Sequence, residues 1–375
     1  MGKRADGEGT IRHRKDGRWE GRYYDRQGGR EIRRTLYGTT QAEVSASLRA
    51  TLARRDRDGF LPSGRETVGS YLRTWLDSVR PSVRPRTWER YEEHVRLHLV
   101  PALGRHPLAR LTPAHVSRAY GELLAGGLSA STVRRAHATL HRALGQAVAW
   151  RIVGTNVADV VDAPRPRRRE MSALSPTQAR ELLAAAAGDR LEALYVLAVT
   201  AGLRQGELLA IHWRDLNLDE GWLHVVGSLY RSRETGLSIG EPKTGRSRRR
   251  VELTPTAIDA LRRHKAAAAK TRLAAGDWVE HDLVFCGPQG SFLGAAGVLR
   301  RFRRLLAVAG LPPVRFHDLR HTAATLMLGR GVHPKIVSEM LGHSTVSITL
   351  DLYSHVSETM QREAVLVMDD LLRSR

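Results

Sequence analysis

The spacing of apolar residues changes along the chain, and each change marks a border between folding units. Over residues 9–37, short β-prone runs are separated by the turn signals Asp16-Gly17 and Gly28-Gly29, a pattern typical of three antiparallel strands. A capping box at 40–43 then opens a helix whose apolar residues recur every four positions. We predict a three-stranded sheet covered by one helix, over residues 1–65.

Beyond the polar stretch at 62–65 the apolar period becomes helical. Thr112-Pro113 supplies an N-cap followed by proline at the first helical position. A later helix carries one continuous apolar stripe, formed by Val133, Ala136, Leu140, Leu144 and Val148. The segment 66–162 is therefore predicted to be a helical bundle.

A short run rich in proline and arginine, at 163–171, separates the bundle from the rest of the chain. Its prolines resist helix formation, and its arginines repel one another into an extended conformation. We predict a basic linker that lies across a nucleic-acid backbone through Arg167 and Arg168. A linker that is charged only for solubility is the alternative.

The region 172–375 shows a mixed pattern. We predict helices at 176–187, at 191–200, from about 205, and at 255–275, with several more over 295–372. Short strands are predicted at 223–226, 250–253 and 283–285. The chain as a whole is thus predicted to be α+β and multidomain, its last unit being mainly helical with a small antiparallel sheet.

The charge of the chain points to a polyanionic partner. Lys and Arg number 60 against 39 Asp and Glu, which gives a net charge of +21. All three units share the excess, so it is not a basic tail on a neutral protein, and nucleic acid is the simplest partner. A solvated basic surface is the alternative for each candidate contact outside the linker: Arg12, Arg14, Arg18, Arg22, Arg134 and Arg135.

Composition also excludes several classes of protein. With 42% hydrophobic residues the chain has enough apolar side chains to form cores. Its single cysteine, Cys286, allows neither an intramolecular disulfide nor a cysteine-based zinc cluster. Neither a signal-peptide core nor an uncharged apolar run of about 18 residues occurs, so we expect a cytoplasmic protein without membrane contact.

Four clusters in the last unit carry side chains suited to phosphate chemistry. Each has an ordinary explanation when taken alone: a surface ion pair, an exposed turn lysine, the polar start of a helix, and a tyrosine packed among leucines. The clusters are Thr200–Glu207 with Arg204, Pro242–Gly245 with Lys243, Phe316–His321 with His317 and Arg320, and Leu341–His355 with His343 and Tyr353.

In their order and spacing, the four clusters together resemble the active site of tyrosine recombinases, the phage integrase family. The resemblance covers nearly the whole chain, because larger integrases also carry a small N-terminal sheet domain and a helical core-binding domain. Asn156-Val157 departs from the Asn-Pro of many relatives, and the connection at 228–241 is long. Neither departure touches the residues to which the resemblance assigns catalysis: Arg204, Lys243, His317, Arg320, His343 and the nucleophile Tyr353, supported by Glu207.

The resemblance implies a site-specific recombinase that integrates or excises a mobile element such as a prophage. It implies an N-terminal arm-type DNA-binding domain at 1–65, a SAM-like core-binding domain at 66–162 and a catalytic domain at 172–375. Cleavage would form a 3′-phosphotyrosyl link without ATP, metal or other cofactor. The implied partners are double-stranded attachment sites, a homotetramer joined through the C-terminal tail, and an excisionase or a host DNA-bending protein.

Two other functions are weighed against this one. The segment 317–321 has two histidines at i and i+4 with an acid between them, as in zinc proteases, but a metalloprotease would leave Arg204, Lys243 and Tyr353 without a role. A DNA-binding regulator that has lost catalysis is the second, although every catalytic position is filled. Within the recombinases, the additional domain at 1–65 favours an integrase over a chromosome-dimer resolvase of the Xer type.

Overall fold

A computed structural model describes residues 9–27, 30–58, 66–166, 172–241, 248–343, 345–347 and 349–350, with single positions at 365, 369, 372 and 373. The chain divides into two compact units, Met1–Arg168 and Arg169–Arg375, and the division falls within the predicted basic linker. None of the described helices is both long enough and apolar enough to cross a membrane.

The first unit begins with the predicted three-stranded antiparallel sheet, in the order β1-β2-β3. Leu48 of the following helix is buried against Tyr23 on one face of this sheet, and Val44 of the same helix is buried beside Gly21. Because side chains alternate along a strand, Arg12, Glu20 and Arg22 lie on the opposite face. The elements are β1 (Thr10–His13), β2 (Trp19–Gln27), β3 (Arg30–Gly38) and α1 (Gln41–Asp58).

The rest of the first unit is the predicted helical bundle. Thr112 caps its helix as expected, since its side chain accepts a hydrogen bond from the His115 backbone N–H. The core is built around Trp75, Tyr71 and Leu140, all with less than 2% of their surface exposed. The helices are α2 (Val68–Val79), α3 (Pro85–His94), α4 (Val100–Leu103), α5 (Pro113–Ala125) and α6 (Ala130–Ala149), with a π-helical turn at Val95–Leu99 between α3 and α4.

The second unit packs its helices around a nearly all-apolar one, α8, of which every residue from Ala193 to Val199 is buried. A small antiparallel sheet, in the order β4-β5-β8, lies beside these helices. The helices are α7 (Pro176–Ala185), α8 (Glu192–Thr200), α9 (Gln205–Leu208), α10 (Pro255–Ala274), α11 (Ala295–Val308), α12 (Asp318–Leu328) and α13 (Pro334–Leu341). The strands are β4 (Leu216–Asn217), β5 (Trp222–Val225), β6 (Ser228–Ser232), β7 (Gly236–Gly240) and β8 (Arg249–Glu252).

The structure differs from the sequence analysis at two places in this unit. The predicted strand at 283–285 does not form, because its backbone meets loops instead of a neighbouring strand: Leu283 makes an isolated bridge to His212, and the Val284 N–H donates to the Ile211 carbonyl. The long connection between β5 and β8, in which no strand was predicted, contains the hairpin β6–β7. The hairpin has too few apolar residues to show the alternation of apolar and polar residues that is typical of a strand. One of these few, Leu229, is nevertheless buried.

Leu140→Ala is expected to destabilise the bundle, because Leu140 on α6 is fully buried and truncation leaves a cavity. We expect a loss of about 2–5 kcal/mol in the free energy of opening of α2 and α6, measured by amide hydrogen exchange in urea. Arg134→Ala, an exposed position on the same helix, is the control and should change this energy by less than about 0.5 kcal/mol. Equal effects of the two substitutions would contradict this description of the core.

Candidate active site

The first cluster is held by a sharp turn and a very short helix. The chain leaves α8, turns at Gly202 with φ of +62°, and starts α9 with Arg204 as its N-cap. Glu207 accepts the Arg204 backbone N–H at 3.1 Å, and its other carboxylate oxygen accepts Nη1 of the Arg204 side chain at 2.6 Å. The local helix start therefore fixes the guanidinium of Arg204.

Three arginines from three different elements converge on the C-terminal end of α13. Arg249 Nε donates to the Met340 carbonyl at 2.7 Å, Arg320 Nη1 to the Leu341 carbonyl at 2.6 Å, and Arg204 Nη2 to the Gly342 carbonyl at 2.8 Å. The last carbonyls of a helix lack intrahelical donors and form the negative end of its dipole. We call these three side chains, on three consecutive carbonyls, the arginine clasp.

Arg320 has a donor left over. Its side chain is almost completely buried, and Nη1 is shared between the Gly202 and Leu341 carbonyls. Nη2 is also buried and has no hydrogen-bond partner among the described residues. Burial, followed by the nearby charge of Arg204, lowers the pKa of Arg320 to about 9, so the side chain remains a cation at neutral pH. An unpaired buried cation of this kind suits an anionic ligand.

Glu207 is the counterion of the clasp. Only about 5% of its side chain is exposed, and besides Arg204 it binds Nη2 of Arg249 at 3.0 Å. Burial opposes its ionisation, but Arg249 and then Arg204 outweigh this effect and hold the pKa of Glu207 below its usual value. Glu207 is therefore a carboxylate at neutral pH, which favours a role in orienting the arginines over proton donation.

His343 follows the clasp directly and is buried. Its Nδ1 lies 2.8 Å from the hydroxyl of the fully buried Thr349. Burial, then the charges of Arg320 and Arg204, lower the pKa of His343 to about 3, so the ring is neutral at physiological pH. A neutral imidazole still donates one hydrogen bond, and the contact with Thr349 leaves Nε2 for a ligand.

His317 stands immediately before α12, one turn from Arg320. Its ring packs edge-on against that of His321, with the centroids 5.0 Å apart. Lost hydration, then the charges of His321 and Arg320, lower the pKa of His317. The side chain remains exposed and accessible to a ligand.

The structure thus brings together four of the predicted site residues, Arg204, Glu207, Arg320 and His343, with His317 on the same helix start as Arg320. Lys243 and the nucleophile Tyr353 lie outside the described residues, as do Arg167 and Arg168 of the predicted linker. The described part of the chain holds no group of three or more His, Cys, Asp or Glu side chains placed to bind a metal ion. The remaining basic candidates lie in the first unit: Arg12 and Arg22 on the sheet, Arg14 and Arg18 in the connection between β1 and β2, and the exposed Arg134 and Arg135 on α6.

Sequence analysis missed two residues of this site. Arg249 lies in an arginine-rich run in which no single residue stands out, yet the alternation of a strand places it on the same side as the buried Val251 and opposite the exposed Arg250. That alternation was the available signal. No sequence pattern marked Thr349, because only the folded chain brings its hydroxyl within hydrogen-bonding distance of His343.

Comparisons with known proteins identify the family of the chain. The family model for the phage integrase family matches residues 172–360, and the model for the phage integrase N-terminal SAM-like domain matches residues 67–124. The chain is 31% identical to a tyrosine recombinase XerC-like protein of Caldanaerobacter subterraneus, over 92% of this chain and 93% of that protein. It is 28% identical to the integrase of Mycobacterium phage D29, over 99% of both chains.

Solved structures share the fold. The Tn1549 transposon integrase in complex with a circular intermediate DNA has a TM-score of 0.68 at 22% identity, covering 80% of this chain and 99% of that one. A lambda integrase dimer bound to a core site has a TM-score of 0.57 at 20% identity, covering 94% of this chain and 96% of that one.

Two guanidiniums and the neutral His343 thus stand together in a helical unit with a small sheet. The chain belongs to the phage integrase family. It is a site-specific tyrosine recombinase, and its reaction is the cleavage and rejoining of DNA strands. The predicted family, fold class and activity are confirmed.

Gly202→Ala is expected to disturb the site, because a Cβ atom at this position would collide with Leu341 Cδ2. Gly188→Ala is the matched control, since Gly188 also has positive φ, +77°, but nothing lies within 4 Å of its added Cβ. Both substitutions lose about 1 kcal/mol of stability from the left-handed backbone. We expect Gly202→Ala to lose about 2 kcal/mol more in urea unfolding. Indistinguishable unfolding of the two variants would contradict the close packing of Gly202 on Leu341.

Proposed function

We propose that Arg204, Arg320 and His343 bind the scissile phosphate of an attachment site while Tyr353 attacks it. The observation that supports this most is the buried Nη2 of Arg320, which has no partner among the described residues and lies beside a second guanidinium. A phosphodiester oxygen supplies the missing acceptor and the missing negative charge. Tyr353 and Lys243 enter the proposal through their positions in the sequence.

The reaction is a transesterification in which every bond is exchanged for another. The Tyr353 oxygen forms a bond to phosphorus as the bond from phosphorus to the 5′-oxygen breaks, which leaves a 3′-phosphotyrosyl link and a free 5′-hydroxyl. His317 takes part in moving the proton of the tyrosine, and Lys243 protonates the departing 5′-oxygen. A 5′-hydroxyl from another strand reverses the step, so no ATP, metal ion or other cofactor is needed.

The electrostatics of the site suit this transition state. Negative charge grows on the non-bridging oxygens as the tyrosine adds, and the two guanidiniums already stand in place on adjacent carbonyls of α13. Because they are held before the substrate arrives, they stabilise that charge without reorganisation, and such donors contribute about 3 kcal/mol each. Glu207 orients Arg204, and a neutral His343 adds a hydrogen bond without adding charge.

We also propose the domain roles: an arm-type DNA-binding domain at 1–65, a core-binding domain at 66–162, a basic linker at 163–171 and a catalytic domain at 172–375. The sheet face opposite α1 supports the role of the arm-type domain. On this face the buried Glu20 accepts hydrogen bonds from the guanidiniums of Arg12 and Arg22 and so fixes their orientation. The guanidiniums of Arg14 and Arg18 lie over the ring of Tyr37. Arginines oriented in this way are suited to a phosphate backbone.

The proposal extends to partners and to biological role. Arg134, Arg135, Arg167 and Arg168 are proposed backbone contacts on the core site. We propose that the chain acts in the cytoplasm as a homotetramer on two attachment sites, joined through its C-terminal tail, as lambda integrase has been solved as a tetramer bound to a Holliday junction. Its reaction would integrate or excise a mobile element such as a prophage, with an excisionase or a host DNA-bending protein.

Tyr353→Phe is expected to abolish covalent capture of DNA, because the phenyl ring has no oxygen to bond to phosphorus. Wild-type protein and the variant are incubated, without divalent metal, with a nicked duplex carrying the attachment sites that flank the gene. Denaturing gel electrophoresis should show a protein–DNA adduct for the wild type alone, at equal binding. If both proteins bind the site and neither forms an adduct, the inactive-regulator alternative is supported instead.

Arg12→Gln combined with Arg22→Gln is expected to weaken binding to arm-type DNA and to lower its salt dependence. Each lost phosphate contact reduces the slope of log K against log salt by about 0.9. Arg49→Gln on the exposed side of α1 is the control, because that face lies away from the open sheet. Fluorescence anisotropy at several salt concentrations measures the slopes, and an equal loss in the control would contradict a DNA contact through the sheet.

A further inference from the structure

We infer that Arg249 is a positioning residue of the active site, which holds Glu207, and through it Arg204, against the C-terminal end of α13. This inference rests on the catalytic roles proposed above for Arg204 and His343. It concerns a side chain that belongs to neither the predicted catalytic set nor its support.

The contacts of Arg249 define its task. Its side chain is only 7% exposed, on β8, where Nε binds the Met340 carbonyl at 2.7 Å and Nη2 binds a Glu207 oxygen at 3.0 Å. Nη1 approaches the other Glu207 oxygen at 3.4 Å. One planar guanidinium therefore joins β8, α9 and α13, three elements that are far apart in the sequence.

A glycine next to the clasp is explained by the same arginine. Gly342 has φ of +67°, and a Cβ atom added there would lie 2.8 Å from Nη1 of Arg249. The left-handed backbone favours glycine just before His343, and the Arg249 guanidinium occupies the space that a Cβ atom would need. The position of Arg249 and the path of the chain into His343 depend on each other.

Charge explains why a second cation is needed on Glu207. The Arg204 guanidinium pairs with Glu207 at 2.6 Å. Without a second cation, Arg204 alone would compensate the negative charge of this carboxylate. Because Arg249 compensates part of the carboxylate charge, the electrostatic potential beside Arg204 is more positive and attracts the phosphate more strongly. Loss of Arg249 would also leave the Met340 carbonyl without this donor. This carbonyl lies at the end of α13, just before the chain reaches His343.

Single-turnover cleavage of the nicked attachment-site duplex, at saturating protein, tests this inference. We expect Arg249→Met to lower the cleavage rate about 100-fold while the Kd for the duplex changes less than about threefold, because Arg249 acts on the transition state through Arg204. Arg249→Lys keeps the positive charge but loses the planar guanidinium that binds two partners at once, so we expect an intermediate, about tenfold, loss of cleavage rate. The matched control is Arg250→Met, the next residue on β8, whose exposed side chain pairs with Glu252 and which should cleave within about twofold of the wild-type rate.

A double substitution separates positioning from loss of stability. Since Arg249 acts through Glu207, Glu207→Gln with Arg249→Met should cleave no more than about threefold more slowly than the slower single variant. The inference would be overturned if the fold loss of cleavage rate in the double variant equals the product of the two single losses. It would also be overturned if Arg249→Met cleaves at the wild-type rate. If Arg249→Met does not fold, the rate and Kd of Arg249→Lys decide in the same way. An absent adduct with the wild-type protein refutes the proposed function itself, which keeps the two failures distinct.

Discussion

The carbonyl groups at the end of α13 organise the active site. Three consecutive carbonyls, from Met340 to Gly342, each accept a hydrogen bond from a different arginine, and those arginines come from a strand, a helix cap and a buried helix. A helix end that needs donors and side chains that need acceptors satisfy each other. The same contacts bring distant parts of the sequence to one point, from which the chain continues directly into His343.

Like charges at this point would repel one another if carbonyls were their only partners. Glu207, buried between Arg204 and Arg249, supplies one compensating charge inside the protein. Burial, followed by the charge of Arg204, lowers the pKa of Arg320, although the charge of Glu207 acts in the opposite direction. Among the described residues one donor of Arg320 thus lacks an acceptor, and under the proposed function the phosphate of the DNA supplies it.

The sequence predicted most of the fold and part of the site. Helices with a single apolar stripe, such as α6, and caps such as Thr112 were predicted because their signals are local. The hairpin β6–β7 and the false strand at 283–285 were misjudged, since pairing with a partner, and not local composition, decides both. Arg204, Arg320 and His343 were predicted from motifs, whereas the place of Arg249 depends on a contact over 91 residues with Met340, which spacing does not reveal.

The donor left over on Arg320 has a consequence for the folding of the catalytic unit. Among the described residues its buried Nη2 has no acceptor, and leaving a buried donor unpaired costs free energy in the native state. If the scissile phosphate supplies that acceptor, as proposed, DNA removes this cost as it binds, and binding and folding become linked equilibria. On that proposal the substrate backbone acts as the last structural component of the domain, and the enzyme gains stability on the DNA that it cuts.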